Sequence, residues 1–284
     1  MKRFFTAVLS LGLIFYSFLP NGLANENITI KGSDTMVNLG QAWAEAFMME
    51  RPDVLIAVTG GGSGTGIAAL LNKSCEIAQS SRNISNKEHE LAKQKGIDVK
   101  EIKVAVDALA FVVHPDNPVE ELTIDQLSDI FTGKITNWKE VGGHDEAVLA
   151  LSRERNSGTH VYVLEEVVRK GKKDGTEEFA PTVLMMPSSQ ALEQEVAMSK
   201  TAIGYFGMGY LSPQVKAIRI KKSGEYAAPT LEHAIDGTYP LSRSLLFYLP
   251  GEPQGMVKEF IDFVLSEKGQ TIVQEMDFVP LKKD

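Results

Sequence analysis

Along most of the chain, short apolar runs with the look of β-strands alternate with amphipathic stretches of helical period. Residues 28–30 form the first such run. Residues 37–49 follow as a helix, with Val37, Leu39, Trp43, Phe47 and Met48 as its apolar positions. Residues 54–59 read as a buried strand, ended by a glycine-rich stretch at 60–66 and a second helix over 67–71. Ile77 and Ala78 mark a third short strand, and a polar helix is expected near 86–95. Residues 104–113 are the longest strand candidate. They run into His114-Pro115-Asp116-Asn117-Pro118, whose prolines and turn formers mark a candidate hinge.

The pattern then restarts. A helix over 124–131, a strand over 148–152, a helix opened by Asn156-Ser157-Gly158-Thr159 and running to 169, and a strand over 202–206 follow in turn. A strand over 239–249 and a helix over 254–266, with Met256, Phe260, Ile261 and Val264 among its buried positions, close the chain. This alternation predicts an α/β fold with mainly parallel sheets. Two proline-bearing crossings around a middle block favour two α/β domains with a cleft between them over a single-domain enzyme. Domain I is then discontinuous, residues 25–114 and 225–284, and domain II spans 115–224.

Charge narrows the partners. The 284 residues carry 37 acidic and 29 basic side chains, a net charge of -8, which argues against a nucleic-acid partner held by counterion release. Residues 1–24 read as a cleavable secretory signal peptide: Lys2 and Arg3, an apolar run over 4–19, Pro20, then Gly22 and Ala24 before the cut. Its removal leaves 27 basic against 37 acidic residues, a charge of -10. The only cysteine, Cys75, excludes a disulfide and a thiolate metal cluster and stands at no lipid-attachment position. The expected state is a freely diffusing periplasmic protein, not a lipoprotein.

Three segments share one device, a strand end rich in Gly, Ser and Thr that opens a helix: Gly32-Ser33-Asp34-Thr35, Gly62-Ser63-Gly64-Thr65-Gly66 and Asn156-Ser157-Gly158-Thr159. Helix starts expose unpaired N–H groups, glycine admits close approach, and hydroxyls add donors. Each alone is an ordinary cap; their recurrence at strand ends points to a ligand site. Arg153 and Arg82 stand beside such segments and offer a planar donor fork suited to a tetrahedral oxyanion. No P-loop ending, no dinucleotide fingerprint and no zinc-type histidine pair occurs. A secreted serine hydrolase using Ser63 or Ser157 with His160, the latter expected as a solvated first-turn residue, stays open as an alternative.

The motifs Lys31-Gly32-Ser33-Asp34-Thr35-Met36, Thr59-Gly60-Gly61-Gly62-Ser63-Gly64-Thr65-Gly66, Ser80-Ser81-Arg82, Val106-Asp107-Ala108-Leu109-Ala110, Ile130-Phe131-Thr132-Gly133-Lys134-Ile135-Thr136-Asn137-Trp138 and the segment 153–159 follow in order. Together they resemble the periplasmic phosphate-binding component of Pst-type ABC transporters. The resemblance implies a type II periplasmic binding protein, two α/β domains closing on the ligand about a two-strand hinge. It further implies a monomer without cofactor or catalytic residue, delivering inorganic phosphate to membrane permease subunits. By position, Ser33, Thr35, Ser63, Ser81, Arg153, Ser157, Gly158 and Thr159 would hold the anion. Known members carry an aspartate, which accepts the proton of monobasic phosphate, where this chain has Ser81. Asp34 and Asp107 are candidate substitutes, Arg82 is a further neighbour, and Glu154 is the candidate orienting partner of Arg153. The departure at Ser81 leaves another oxyanion (sulfate, molybdate or tungstate) and a phosphate-sensing role open.

Overall fold

The structure is a computed structural model that describes residues 26–172 and 174–282; the expected signal peptide, residues 1–24, lies outside the described residues. In the first half, β1 (Glu26–Gly32), α1 (Val37–Glu50), β2 (Val54–Thr59), α2 (Ser63–Leu71), β3 (Ile77–Ser80), α3 (Asn86–Gln94) and β4 (Lys100–Val113) alternate as the pattern predicts. The middle holds β5 (Glu121–Thr123), α4 (Ile124–Phe131), β6 (Leu149–Arg153), α5 (Gly158–Val163), β7 (Leu184–Met186), α6 (Ser189–Met198), β8 (Ala202–Gly207), β9 (Lys216–Ala217) and β10 (Arg219–Lys221). The chain returns through α7 (Leu231–Ile235), β11 (Ser242–Leu249), α8 (Gly255–Leu265) and α9 (Glu267–Glu275). The helix expected to reach 169 is α-helical only to Val163 and continues as a π-turn over Leu164–Val168.

One sheet, in the order β2-β1-β3-β11-β4-β8-β6-β7, runs through the molecule. Its outer pairs β1–β2, β1–β3, β6–β7 and β6–β8 are parallel, in line with the expectation. The centre is not: β11 runs antiparallel to β3 and β4, and β4 runs antiparallel to β8. The strand that leaves the first half and the strand that returns to it lie side by side, so they point in opposite directions. The partner of β4 changes along its length. Ala108 pairs with Ser242 of β11, and the next residue, Leu109, pairs with Gly207 of β8.

Packing on either side of this switch is aromatic. Trp43 meets Phe247 edge-on at 5.7 Å between centroids, and its indole N–H donates to the Gly269 carbonyl at 2.8 Å, tying α1 to β11 and α9. Phe111, Phe131 and Tyr205 form a second cluster at 5.4–5.7 Å, joining β4, α4 and β8. Each such pair adds roughly 0.5–1.5 kcal/mol beyond burial, so both halves are firmly packed next to the strand they share.

Candidate functional site

The turn after β1 is locked to the end of β3. Ser33 N donates to the Gln79 carbonyl at 2.8 Å, and Gln79 Nε2 donates back to the Ser33 carbonyl at 3.1 Å. Gly32 permits this: its φ is +144°, and a Cβ there would overlap the Gln79 carbonyl oxygen. Ser33 Oγ then donates to Ser81 Oγ at 2.9 Å, while the Ser81 N–H donates to Ser63 Oγ at 3.1 Å. Three strand-end serines, distant in sequence and all buried, form one hydroxyl cluster.

The middle segment meets this cluster at α5. Gly158 packs so close that a Cβ on it would overlap Ser63 Oγ and stand 2.8 Å from Ser81 Oγ. Ser157 caps α5, its Oγ accepting from the Thr159 and His160 N–H groups at 3.2 and 3.4 Å. Thr159 Oγ1 lies 2.9 Å from Thr35 Oγ1. Seven of the eight residues proposed as ligands therefore come together, their hydroxyls bonded to one another, to backbone N–H groups or, at Thr35 and Thr159, to an Arg243 N–H, a set of groups that a tetrahedral oxyanion can engage in their place.

Arg153, the eighth, is 1% exposed, ends β6 and is joined to the segment that carries Ser33 and Thr35 through Asp34. Its Nη2 donates to Asp34 Oδ2 at 2.7 Å and to the Pro187 carbonyl at 3.1 Å, its Nη1 to Ser189 Oγ at 2.8 Å, and its Nε to the Met186 carbonyl at 3.3 Å. Asp34, not Glu154, thus orients the arginine. Glu154 is exposed; its position next in the chain sends its side chain off the other face of the strand end, whereas Asp34 faces Arg153 across the seam. Asp34 is itself fixed, its Oδ1 accepting from Gly61 N at 3.1 Å. Arg82 points elsewhere, forking onto Glu88 at 2.7 and 2.8 Å. Burial works against a charged Glu88, but the Arg82 fork and the Ser85 N–H and hydroxyl outweigh it and hold that carboxyl below its ordinary range.

Contacts between the segments on the two sides of the switch in β4 continue away from the hydroxyls. Asn156 Nδ2 donates to the Gly61 carbonyl at 2.8 Å and to Thr65 Oγ1 at 3.2 Å, and Gly64 N donates to the Asn156 carbonyl at 3.0 Å. Tyr210 OH donates to the Asp34 carbonyl at 2.6 Å, and burial pushes its pKa up to about 12.

Asp107 is fully buried in β4 and is paired by Arg243 of β11, through Nε at 2.9 Å and Nη2 at 2.8 Å. Arg243 was not legible as a site residue. It lies 136 positions from its partner in no motif, and the available signal was a single arginine between two serines at the start of a strand whose remaining residues are apolar. Ser189 and Gln79 escaped notice for the same reason.

Among the described residues no histidine ring is paired with the Ser63 or Ser157 hydroxyl. His160 is buried rather than solvated; its Nδ1 bonds Ser152 Oγ at 3.0 Å and its ring packs on Phe179 at 4.7 Å, so only its backbone N–H, and not its imidazole, bonds the Ser157 hydroxyl. Burial lowers its pKa. Cys75 is buried, and its thiol is pushed up to about 11, chiefly by that burial, which makes it a small apolar residue in practice. Among the described residues no group of three or more His, Cys, Asp or Glu is placed to hold a metal, and no helix is long and apolar enough to cross a membrane.

Comparison with known proteins shows the family. Residues 20–268 match the model of the PBP superfamily domain. The chain is 33% identical over 274 residues to the phosphate-binding protein PstS of Pseudomonas aeruginosa, covering 90% of this chain and 83% of that protein. It is 34% identical over 263 residues to the PstS of Bacillus subtilis, covering 91% and 82%. Among solved structures, a phosphate ABC transporter substrate-binding protein from Clostridium perfringens with bound phosphate superposes with a TM-score of 0.81 at 35% identity, over 90% of this chain and all of that one. An ABC-type phosphate transport receptor from Vibrio cholerae superposes with a TM-score of 0.70 at 32% identity, over 89% and 100%.

Proposed function

We infer, from a chain that belongs to the PBP superfamily and within it to the phosphate-binding PstS proteins, that this protein captures inorganic phosphate and delivers it to the permease of an ABC transporter. It is a solute-binding protein and not an enzyme. The observation that carries the reading is the convergence of Ser33, Thr35, Ser63, Ser81, Arg153, Ser157, Gly158 and Thr159, from both sides of the switch in β4, on one buried seam. Hydroxyls and a guanidinium with no base to activate a nucleophile bind an oxyanion; they do not turn it over.

In this reading domain I (25–114 and 225–284) and domain II (115–224) close on the anion, with β4 and the strand that returns beside it as hinge. Donors from both sides give the closed form the higher affinity, which is what lets the ligand drive closure. The exported chain acts in the periplasm as a monomer, released from its leader after residue 24 and free of a lipid anchor. Cys75, buried in the fold, supports the last point.

A second reading keeps the fold and changes the oxyanion. Ser81 supplies no carboxylate, and both candidate substitutes are engaged, Asp34 by Arg153 and Asp107 by Arg243. In the phosphate reading, a hydroxyl oxygen of the Ser33, Ser63 and Ser81 cluster accepts the hydrogen bond of the phosphate O–H, since each hydroxyl is both donor and acceptor. Isothermal titration with phosphate, sulfate, molybdate and tungstate separates the two. Phosphate binding tightest supports the first, sulfate or molybdate binding tightest supports the second, and flat heats for all four refute both.

A further inference from the structure

The Asp107–Arg243 pair has a feature that charge balance does not require. Both side chains are almost wholly buried, 0% and 4% exposed. Arg243 uses one edge of its guanidinium on the carboxylate, Nε and Nη2 both donating to Asp107 Oδ2. The second Nη2–H turns the other way and reaches Thr35 Oγ1 at 3.3 Å and Thr159 Oγ1 at 3.0 Å. Those hydroxyls belong to the anion site and come from opposite sides of the switch in β4. Nη1 is buried and makes no hydrogen bond. Because the guanidinium is planar, one Nη1–H lies parallel to the Nη2–H that touches the two threonines and points along the same end of the fork.

A pair kept only for packing would not leave a cationic N–H buried and unmatched, since that costs more than a typical hydrogen bond returns. The Tyr162 ring, with its centroid 5.3 Å from Arg243 Cζ, supports the face of the guanidinium and leaves its edges to find partners. Asp107 fixes the fork from behind, itself held by the Met208 N–H at 3.1 Å. The fork is rigid, desolvated and directed at the threonine pair before any ligand arrives.

We propose that Arg243 is a second arginine ligand of the captured anion, its Nη1–H donating to an anion oxygen beside Thr35 and Thr159. The inference rests on the phosphate reading and deepens it. Arg153 commits donors to Asp34, Ser189, Pro187 and Met186, so Arg243 supplies the charge-assisted contact that its neighbour cannot supply in full.

Two experiments test it. The first compares wild type with the double variant Arg243→Gln, Asp107→Asn, which removes both charges together and strands neither. Titration with inorganic phosphate should show affinity about 10- to 100-fold weaker, while the ligand-free melting temperature changes little. Affinity within about threefold of wild type overturns the assignment and leaves phosphate capture standing; a wild-type chain that gives no heat with phosphate overturns both. The second needs no variant: a crystal structure of the wild-type chain with phosphate should place Nη1 about 3 Å from a phosphate oxygen. A bound phosphate whose oxygens all lie beyond about 4 Å from Nη1 refutes the role.

Discussion

Gly158→Ala separates binding from folding more cleanly than any charge substitution in the site. The position opens α5 and its φ is not positive, so the backbone itself admits alanine. What alanine cannot do is fit: its methyl would overlap Ser63 Oγ, stand 2.8 Å from Ser81 Oγ and 3.0 Å from Ser63 Cβ. The start of α5 must then retreat from the serine cluster, and an anion held by both sides loses at least two charge-assisted hydrogen bonds. At roughly 1.5–3 kcal/mol each, the loss is about 3–6 kcal/mol, or roughly a hundredfold to ten-thousandfold in affinity. Isothermal titration with phosphate reads that loss, and thermal unfolding without phosphate serves as the control. A variant that melts at or above the wild-type temperature yet binds phosphate within about threefold of wild type would refute the placement of the anion against α5.

Other outcomes follow from the same geometry. Arg153→Ala should weaken phosphate more than about tenfold in titration and lower the melting temperature, because Asp34 and Ser189 lose their partner. Asn156→Ala removes two hydrogen bonds across the seam without touching the anion; about 1–2 kcal/mol of closed-state stability is lost, seen in stopped-flow as faster phosphate release with little change in association. Burial holds the His160 pKa down, so the unfolded chain takes up its proton first as pH falls. Its contribution to stability is therefore complete above about pH 6.5 and declines below it, by at most about 1.4 kcal/mol per pH unit, and denaturant unfolding of His160→Gln should lack that decline. Phosphate affinity should vary only modestly with inert salt, since a chain of charge -10 without its leader does not recruit an anion through its long-range field.

Elements with clear periodicity were legible in the sequence to within a few residues: α1, β2 and α4 begin where the apolar pattern places them. The sheet's antiparallel centre was not, because strand direction depends on which segments meet in space, and residues 104–113 look the same in either orientation. The first helix residues were also misjudged at α2, which begins at Ser63 and not at Ile67, since a glycine- and serine-rich turn reads as loop until its helix packs. The three segments that supply most of the proposed ligands were legible because each carries Gly, Ser and Thr where a strand gives way to a helix, a local signature. Their orienting partners were not: Asp34 reaches Arg153 over 119 positions and Arg243 reaches Asp107 over 136. Sequence proximity pointed to Glu154 in place of Asp34, and long-range ion pairs leave no periodic trace.

The most direct measurement is a crystal structure of the protein as purified, without added phosphate. Tetrahedral density enclosed between Ser33, Thr35, Ser63 and Ser81 on one side and Arg153, Ser157, Gly158 and Thr159 on the other is the expected result. Density for an anion elsewhere, with these hydroxyls bonded only to one another even after phosphate is supplied at saturation, would contradict it.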